Sequence, residues 1–314
     1  MSLICYRISI IFAMIVIGFV CSKTKMLPFE SNKYLIMLIM NVTSPCLLIT
    51  SIAGKELTDS TIAATIQMLV ASLIYFVAGM FAAIGLARLI RAPKEDTGLY
   101  SMIITCRNTG FMGFPVTKAA YGNDGLFMIV LNNIIMNMYI YSAGILQMNI
   151  GGRRERLDLK QTLRSMANMC SFAALAGIIL LFTGIKIPSF INDLITPIGD
   201  ATIPVSMLVL GIQLAESDLK KAMLNRKLLL VTFISLIIWP VVTFLAVNWL
   251  PLDVYVKAML VYASAFPTMV MIVVIAASEK KNTQFAAEAV ALTTMFSVIT
   301  LPAATVLLTM YYGI

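Results

Sequence analysis

Residues 98–118 read GLYSMIITCRNTGFMGFPVTK, and this stretch decides the class of fold. It is long enough to cross the hydrocarbon core of a bilayer as a helix, which takes roughly 20 apolar residues. Its one internal charge, Arg107, lies near the middle of the stretch. A proline within a helix removes a backbone hydrogen bond and clashes with the preceding turn, so Pro115 predicts an interruption that Gly110 and Gly113 would ease. We therefore predict a broken membrane-spanning helix.

The rest of the chain has the composition of a protein whose solvent is largely lipid. Hydrophobic residues make up 60% of the 314 residues and charged residues 12%, whereas soluble domains carry about 25% charged residues. Only helices and closed barrels satisfy their backbone groups in lipid, and the continuous apolar runs favour helices. Ten spans are predicted, near residues 6–22, 33–53, 62–87, 98–118, 125–149, 166–185, 189–215, 228–250, 255–277 and 286–312.

The basic residues of the loops predict how these spans are oriented. One set of alternate loops holds 17 lysines and arginines, and the opposite set holds five. Because cytoplasmic loops carry the excess of basic residues, the first set is expected in the cytoplasm. Both termini are then outside, and the protein is expected in the cell membrane as a multi-pass protein. The net charge of +8 therefore indicates topology and not a nucleic-acid partner.

The loop at 151–165 divides the ten predicted spans into five and five. We expect residues 1–150 to form one five-helix repeat, this loop to be a cytoplasmic linker, and residues 166–314 to form the second repeat. An odd number of spans in each half makes the halves insert in opposite orientations, which is typical of secondary transporters. The fourth and ninth spans correspond, and each contains a proline, Pro115 and Pro267. Broken helices at matching positions of two halves predict the binding site.

Polar residues near the two predicted breaks are the candidates for substrate contact. A charge in mid-span costs roughly 2.5–3.5 kcal/mol on insertion scales, so Arg107 needs a partner or a function. Its guanidinium is suited to holding a carboxylate by two parallel hydrogen bonds. The alternatives are a structural ion pair with Asp200 or Glu288, or a place in a hydrated cleft. The other candidates are Asn108, Thr109, Asn132, Asn133, Asn137, Ser264 and Thr268.

The same sequence argues against an enzyme. It contains no histidine, which removes the commonest general base and metal ligand. It has no glycine-rich phosphate loop with its lysine, so direct use of ATP is not expected. No cofactor and no metal site are predicted. Coupling to a proton or to sodium remains open, and Asp200 and Glu288 are the acidic residues that would serve it.

Three segments of the chain resemble the auxin efflux carrier family. The run Arg107–Pro115, followed by Tyr121 and Gly122, resembles the motif of the family's fourth span. The stretch from Pro204 to Leu214 is similar to its seventh-span signature, and SAFPT at 264–268 is similar to its ninth-span crossover. The resemblance covers essentially the whole chain in the right order. The short central loop resembles that of bacterial members.

The resemblance implies an all-α polytopic membrane protein with about ten transmembrane helices in a 5+5 inverted repeat. Helices 4 and 9 would be the broken crossover helices, as in bile-acid symporters and sodium/proton antiporters. Spans 1, 2, 6 and 7 would form a scaffold, and spans 3–5 and 8–10 a transport domain that moves like an elevator. Expected partners are a small organic anion, membrane lipids and a second copy of the chain bound through the scaffold helices.

The resemblance also implies a class of substrate, namely auxin in plants and malate or other carboxylates in bacterial members. Asn108 is the residue that carries over best as a substrate contact. Arg107 departs from the small or apolar residue expected before that asparagine, and it points to a more highly charged substrate. Two alternatives stay open at this point. One is a sodium-coupled anion symporter of the same fold, and the other is a membrane sensor that binds an anion without moving it.

Overall fold

The computed structural model describes residues 2–151 and 168–314, which form α-helices joined by short loops. The helices of this described part are α1 (Ser2–Lys23), α2 (Ser31–Ala53), α3 (Asp59–Leu89), α4 (Thr97–Thr105), α5 (Thr109–Met148), α6 (Met169–Thr183), α7 (Ser189–Glu216), α8 (Leu219–Leu224), α9 (Arg226–Asn248), α10 (Val254–Ala265), α11 (Met271–Ser278) and α12 (Thr283–Tyr312). Within these ranges, seven helices are long and apolar enough to cross a membrane, and α6 and α10 are shorter apolar helices. The predicted linker lies outside the described residues apart from Gly151.

The fourth predicted span is broken, but at a different place from the one expected. Helix α4 ends at Thr105 and α5 begins at Thr109, so the break lies at 106–108 and not at Pro115. Pro115 follows a wide helical turn over 109–113, which tolerates a residue that cannot donate a backbone hydrogen bond. The prediction from Pro115 was therefore wrong in position. The ninth span is broken at 266–270, which includes Pro267 as expected.

The fifth predicted span continues directly from the second half of the fourth. Both belong to α5, which bends at Gly122 because this residue has φ 68° and ψ −157°. That backbone conformation is readily adopted only by glycine. Two helical segments that meet at this residue therefore provide half of the broken span and the whole of the next one.

Large apolar side chains cover the outer surface of the helices. Examples are Val16 on α1, Phe81 on α3, Leu175 on α6 and Leu245 on α9, each more than half exposed. A water-soluble protein does not expose apolar side chains along whole helices in this way. The pattern is that of an all-α polytopic protein surrounded by lipid, as predicted from the composition.

The loops gather on two opposite faces. On one of them Lys281 Nζ donates a hydrogen bond to the carbonyl of Glu95 at 2.7 Å. We call this the basic face, and its described connections are 24–30, 90–96, 149–151, 217–225 with the short helix α8, and 279–282. On the opposite face the amide of Asp253 donates to Gln67 Oε1 at 2.8 Å. The alternation of loops matches the predicted spans, and the cytoplasmic position of the basic face stays a prediction.

The helices pack in two groups. In the first group α1 lies along α7, and α2 packs against α6 and α7. In the second group α3 packs against α4 and α5, while α9 and α10 pack against each other and against α12. The contact between α1 and α7 is close because Gly211 and Gly18 have no side chains. A Cβ added to Gly211 would lie 2.1 Å from the carbonyl oxygen of Ile15.

Candidate functional site

The two helix breaks cross each other inside the second group. The amide of Asn108 donates to the carbonyl of Pro267 at 2.8 Å, and the amide of Met269 donates to the carbonyl of Cys106 at 3.1 Å. These bonds satisfy backbone groups that the breaks leave without helical partners. Helices α4 and α10 end at the crossing, and α5 and α11 begin there. Four half-helix ends therefore meet at one point.

Thr268 and Ser264 contribute to the structure of the crossing. Thr268 is fully buried, and its Oγ1 donates to the carbonyl of Ile103 at 3.1 Å. Its amide donates to Thr293 Oγ1 at 3.1 Å. Ser264 Oγ donates to the carbonyl of Val261 in its own helix at 2.6 Å. Both predicted candidates are thus engaged in internal hydrogen bonds.

Asn108 stands at the start of α5 and carries an unused hydrogen-bond donor. Its Oδ1 accepts from the amide of Phe111 at 3.2 Å, so the side chain caps the helix. Its Nδ2 is buried and has no hydrogen-bond partner within the described ranges. A buried donor without a partner costs about 1–3 kcal/mol, so an acceptor brought by a ligand would be stabilised there.

The predicted asparagines of α5 point in two different directions. Asn137 Nδ2 donates to Asn133 Oδ1 at 3.0 Å, and Asn133 Nδ2 donates to Thr109 Oγ1 at 2.8 Å. This chain of polar groups leads to the crossing. Asn132 points elsewhere, because its Nδ2 donates to Ser72 Oγ on α3 at 2.9 Å. The structure brings two of the three predicted amides together with Thr109.

A cavity of about 70 Å³ lies between the two groups at this position. The second group lines it with Asn108, Gly110, Phe111, Asn133 and Asn137. The facing wall from the first group includes Met40, Ser44, Leu48 and Cys170. No described lining residue is charged. The starts of α5 and α11 lie at the cavity, and helix N-termini carry partial positive charge that favours anions.

Arg107 lies outside this cavity. Its side chain is buried, with 1% exposed, and its guanidinium donates to the carbonyls of Ile104 and Phe266 and to Ser235 Oγ. The predicted ion pair with Asp200 is wrong, because Asp200 pairs with Lys118 at 2.6 Å. Glu288 is not its partner either and accepts from Gln284 Nε2 at 2.8 Å.

A family model described as a membrane transport protein matches residues 3–305. The chain belongs to this membrane transport protein family. This is the auxin efflux carrier family, which the motifs resemble. The predicted family is therefore confirmed.

Relatives of this family member have similar lengths. An uncharacterized transporter of Methanocaldococcus jannaschii is 24% identical over 299 residues, which cover 92% of this chain and 94% of the relative. The uncharacterized transporter YfdV of Escherichia coli is 23% identical over 274 residues, which cover 84% of this chain and 85% of the relative. The family and these relatives make the protein a membrane transporter.

The two acidic residues considered for ion coupling lie on opposite sides of this transporter. Asp200 is about half exposed and joins α7 to α5 through Lys118. Glu288 lines a larger cavity of about 480 Å³ that opens on the basic face between α7, α11 and α12. Neither carboxylate lines the smaller cavity at the crossing.

Sequence reasoning missed several residues of the site. Ser235 contacts Arg107 from α9, 128 positions away, and nothing in its local sequence marks it. Ser44 lies on the facing wall of the cavity, in a polar stretch of α2 that also contains Asn41, Thr43 and Pro45. Gly113 faces Ile129 and Phe266 instead of the cavity, whereas Gly110 lines it.

Proposed function

We propose that this transporter is a secondary active carrier of a small organic anion, bound by Asn108 and the Asn133–Asn137 pair. The observation that carries the proposal is the buried, unpartnered Nδ2 of Asn108 in a cavity between two helix groups. A carboxylate offers the acceptor that this donor lacks. Hydrogen bonds to charged groups contribute about 1.5–3 kcal/mol each, which is enough to select an anion over a neutral analogue.

The substrate expected at this site is a mono- or dicarboxylate, malate-like or auxin-like. The cavity has no charged side chain among its described lining residues, so the anion would be compensated by amide donors and helix N-termini. Its volume of about 70 Å³ is small, whereas sites for drug-sized ligands start at about 300 Å³. The groups must therefore separate before a larger carboxylate can enter.

We propose that the second group moves against the first by an elevator motion. The second group contains both broken helices and every polar residue proposed to bind substrate. The first group supplies only the facing wall. On the basic face the two groups are parted by the cavity of about 480 Å³. On the opposite face two ion pairs, Lys118 with Asp200 and Lys55 with Asp124, join them. This arrangement suits a carrier whose two groups are parted on the basic face and held together on the opposite face.

These ion pairs give a testable prediction for the conformational equilibrium. We expect Asp200→Lys to shift the population toward a state open on the opposite face, because it places two positive charges in contact at Lys118. An exposed pair contributes about 0.2–1 kcal/mol, and repulsion adds a similar amount, so a shift of about two- to thirtyfold is expected. Spin labels at the exposed positions Lys186 and Asn123 would report the separation by pulsed electron paramagnetic resonance.

The matched control is the exchanged pair Lys118→Asp with Asp200→Lys. It restores opposite charges at the same two positions, so the distance distribution should return to that of the unmodified protein. An unchanged distribution in the single variant would show that the pair does not bias the two states.

The proposed function is tested by uptake into proteoliposomes. Radiolabelled malate, succinate, lactate and an indole carboxylate would be offered with and without imposed proton and sodium gradients. Accumulation of one anion that depends on Asn108 supports the proposal. A strict requirement for a sodium gradient would favour the sodium-coupled symporter. Binding without flux, from protein known to be folded, would favour the anion sensor.

A further inference from the structure

Arg107 is the one charged side chain that is buried within the described ranges. No carboxylate of the described residues lies within 4.0 Å of it. Its guanidinium donates instead to neutral oxygens, namely two backbone carbonyls and the Ser235 hydroxyl. The Tyr75 hydroxyl also lies beside it, and the Nε of Arg107 has no hydrogen-bond partner among the described residues. A buried arginine usually pairs with an acid, because an unpaired buried charge is costly. The set of oxygens around this guanidinium therefore needs an explanation.

The two carbonyls belong to the ends of the two half-helices. Ile104 lies in the last turn of α4, and Phe266 directly follows the end of α10. The last carbonyls of a helix have no helical partner, and they carry the negative end of the helix dipole. Both half-helices thus direct partial negative charge at one guanidinium. Ser235 adds its hydroxyl from α9 and itself donates to the carbonyl of Ile103 at 3.3 Å.

Oxygens of this kind are also the ligands of a hard cation. In carriers with broken helices, unwound carbonyls and the C-terminal ends of half-helices hold the coupling sodium ion. Here the guanidinium of Arg107 already donates hydrogen bonds to oxygens of this kind. Arginine suits the position better than lysine, because its planar fork reaches carbonyls from two helices with different nitrogens.

We propose that Arg107 is a built-in cation that occupies the position of a coupling sodium ion, so that this carrier needs no sodium. The inference rests on the proposed anion transport for its flux measurements. It also accounts for the direction of the side chain, which turns from the cavity toward the carbonyl oxygens. Arg107 then acts as a positioning residue that holds α4, α9 and α10 together.

The test compares sodium with choline at equal ionic strength. Unmodified protein should transport at the same rate in both salts and show the same melting temperature. Arg107→Ala removes the guanidinium and leaves these oxygens without a donor. The flux of this variant should therefore fall about tenfold or more in choline. Sodium should then raise its melting temperature saturably by about 2–4 °C and restore part of the flux. Arg107→Gln is the second variant, with the same expected response in smaller degree.

Arg88→Ala is the matched control, because Arg88 is exposed at the end of α3 on the basic face. It should behave like the unmodified protein in both salts. Sodium-dependent flux of the unmodified protein would overturn the proposal, and this measurement needs no variant to fold. A folded Arg107→Ala protein without sodium stabilisation would also overturn it. If the unmodified protein moves no anion, the proposed function fails, while the melting temperatures still decide the role of Arg107.

Discussion

Asn108→Asp is expected to abolish anion flux while the protein remains folded. Aspartate caps a helix about as well as asparagine, so its Oδ1 should still accept from the amide of Phe111. The change removes the Nδ2 donor and places a negative charge beside the bound anion. The lost bond costs about 1.5–3 kcal/mol and like-charge contact costs several more, so affinity should fall about 100-fold or further. Initial uptake rates in proteoliposomes and the melting temperature measure the two effects separately.

The matched control is Asn192→Asp near the start of α7. Asn192 is exposed and lies at the fourth position of the helix, where a carboxylate is tolerated near the positive end of the helix dipole. The same chemical change there should leave the uptake rate within about twofold of the unmodified protein, as is usual for surface substitutions. Flux at the normal rate in Asn108→Asp would remove Asn108 from the site and with it the main support for the proposed binding mode.

Gly211→Ala is expected to destabilise the first group strongly. The new Cβ would lie 2.1 Å from the carbonyl oxygen of Ile15 and 2.6 Å from the amide nitrogen of Phe19. Both atoms belong to the backbone of α1, which cannot rotate away as a side chain can. Overpacking typically costs 1–3 kcal/mol, so the melting temperature should fall by about 2–12 °C. Intrinsic fluorescence of the purified protein during heating would measure it.

Gly85→Ala on α3 is the control for this prediction. Apart from the adjoining backbone of α3, no atom of the described residues lies within 4 Å of a Cβ built at Gly85, so alanine should fit there. Alanine also favours a helix over glycine by up to about 1 kcal/mol. The melting temperature should therefore stay the same or rise slightly. Equal stability of the two variants would mean that α1 and α7 do not pack as described.

Hydropathy predicted the helices of this protein well, because each span must be apolar along nearly its whole length. The position of the break at 106–108 was not predictable in the same way. It is fixed by hydrogen bonds to residues 266–270, which lie about half the chain away, whereas Pro115 is a local signal. The neighbours Asn132 and Asn133 show the same limit. They differ by about 100° around the helix, and only the packing of α3 decides which one faces the cavity.

The sequence also showed that the mid-span charge of Arg107 is costly, but it did not identify the partners of this side chain. The sequence suggested the acidic residues Asp200 and Glu288 as partners of opposite charge. It does not show which backbone carbonyls lack a helical hydrogen bond. The actual partners include two backbone carbonyls. Every residue has a carbonyl, but only those at the end of a helix are free to accept a hydrogen bond from Arg107. Where these helices end depends on tertiary structure.

The charge held at the crossing has an electrical consequence for the transport cycle. If the second group moves as proposed, Arg107 together with one monovalent anion would carry no net charge, whereas the empty group would carry one positive charge. Membrane voltage acts on that charge with about 2.3 kcal/mol per 100 mV for a full crossing of the field. If the basic face is cytoplasmic, a negative interior would draw the empty carrier back toward the cytoplasm. The resting voltage would then drive net export of a monovalent anion, with no ion gradient required.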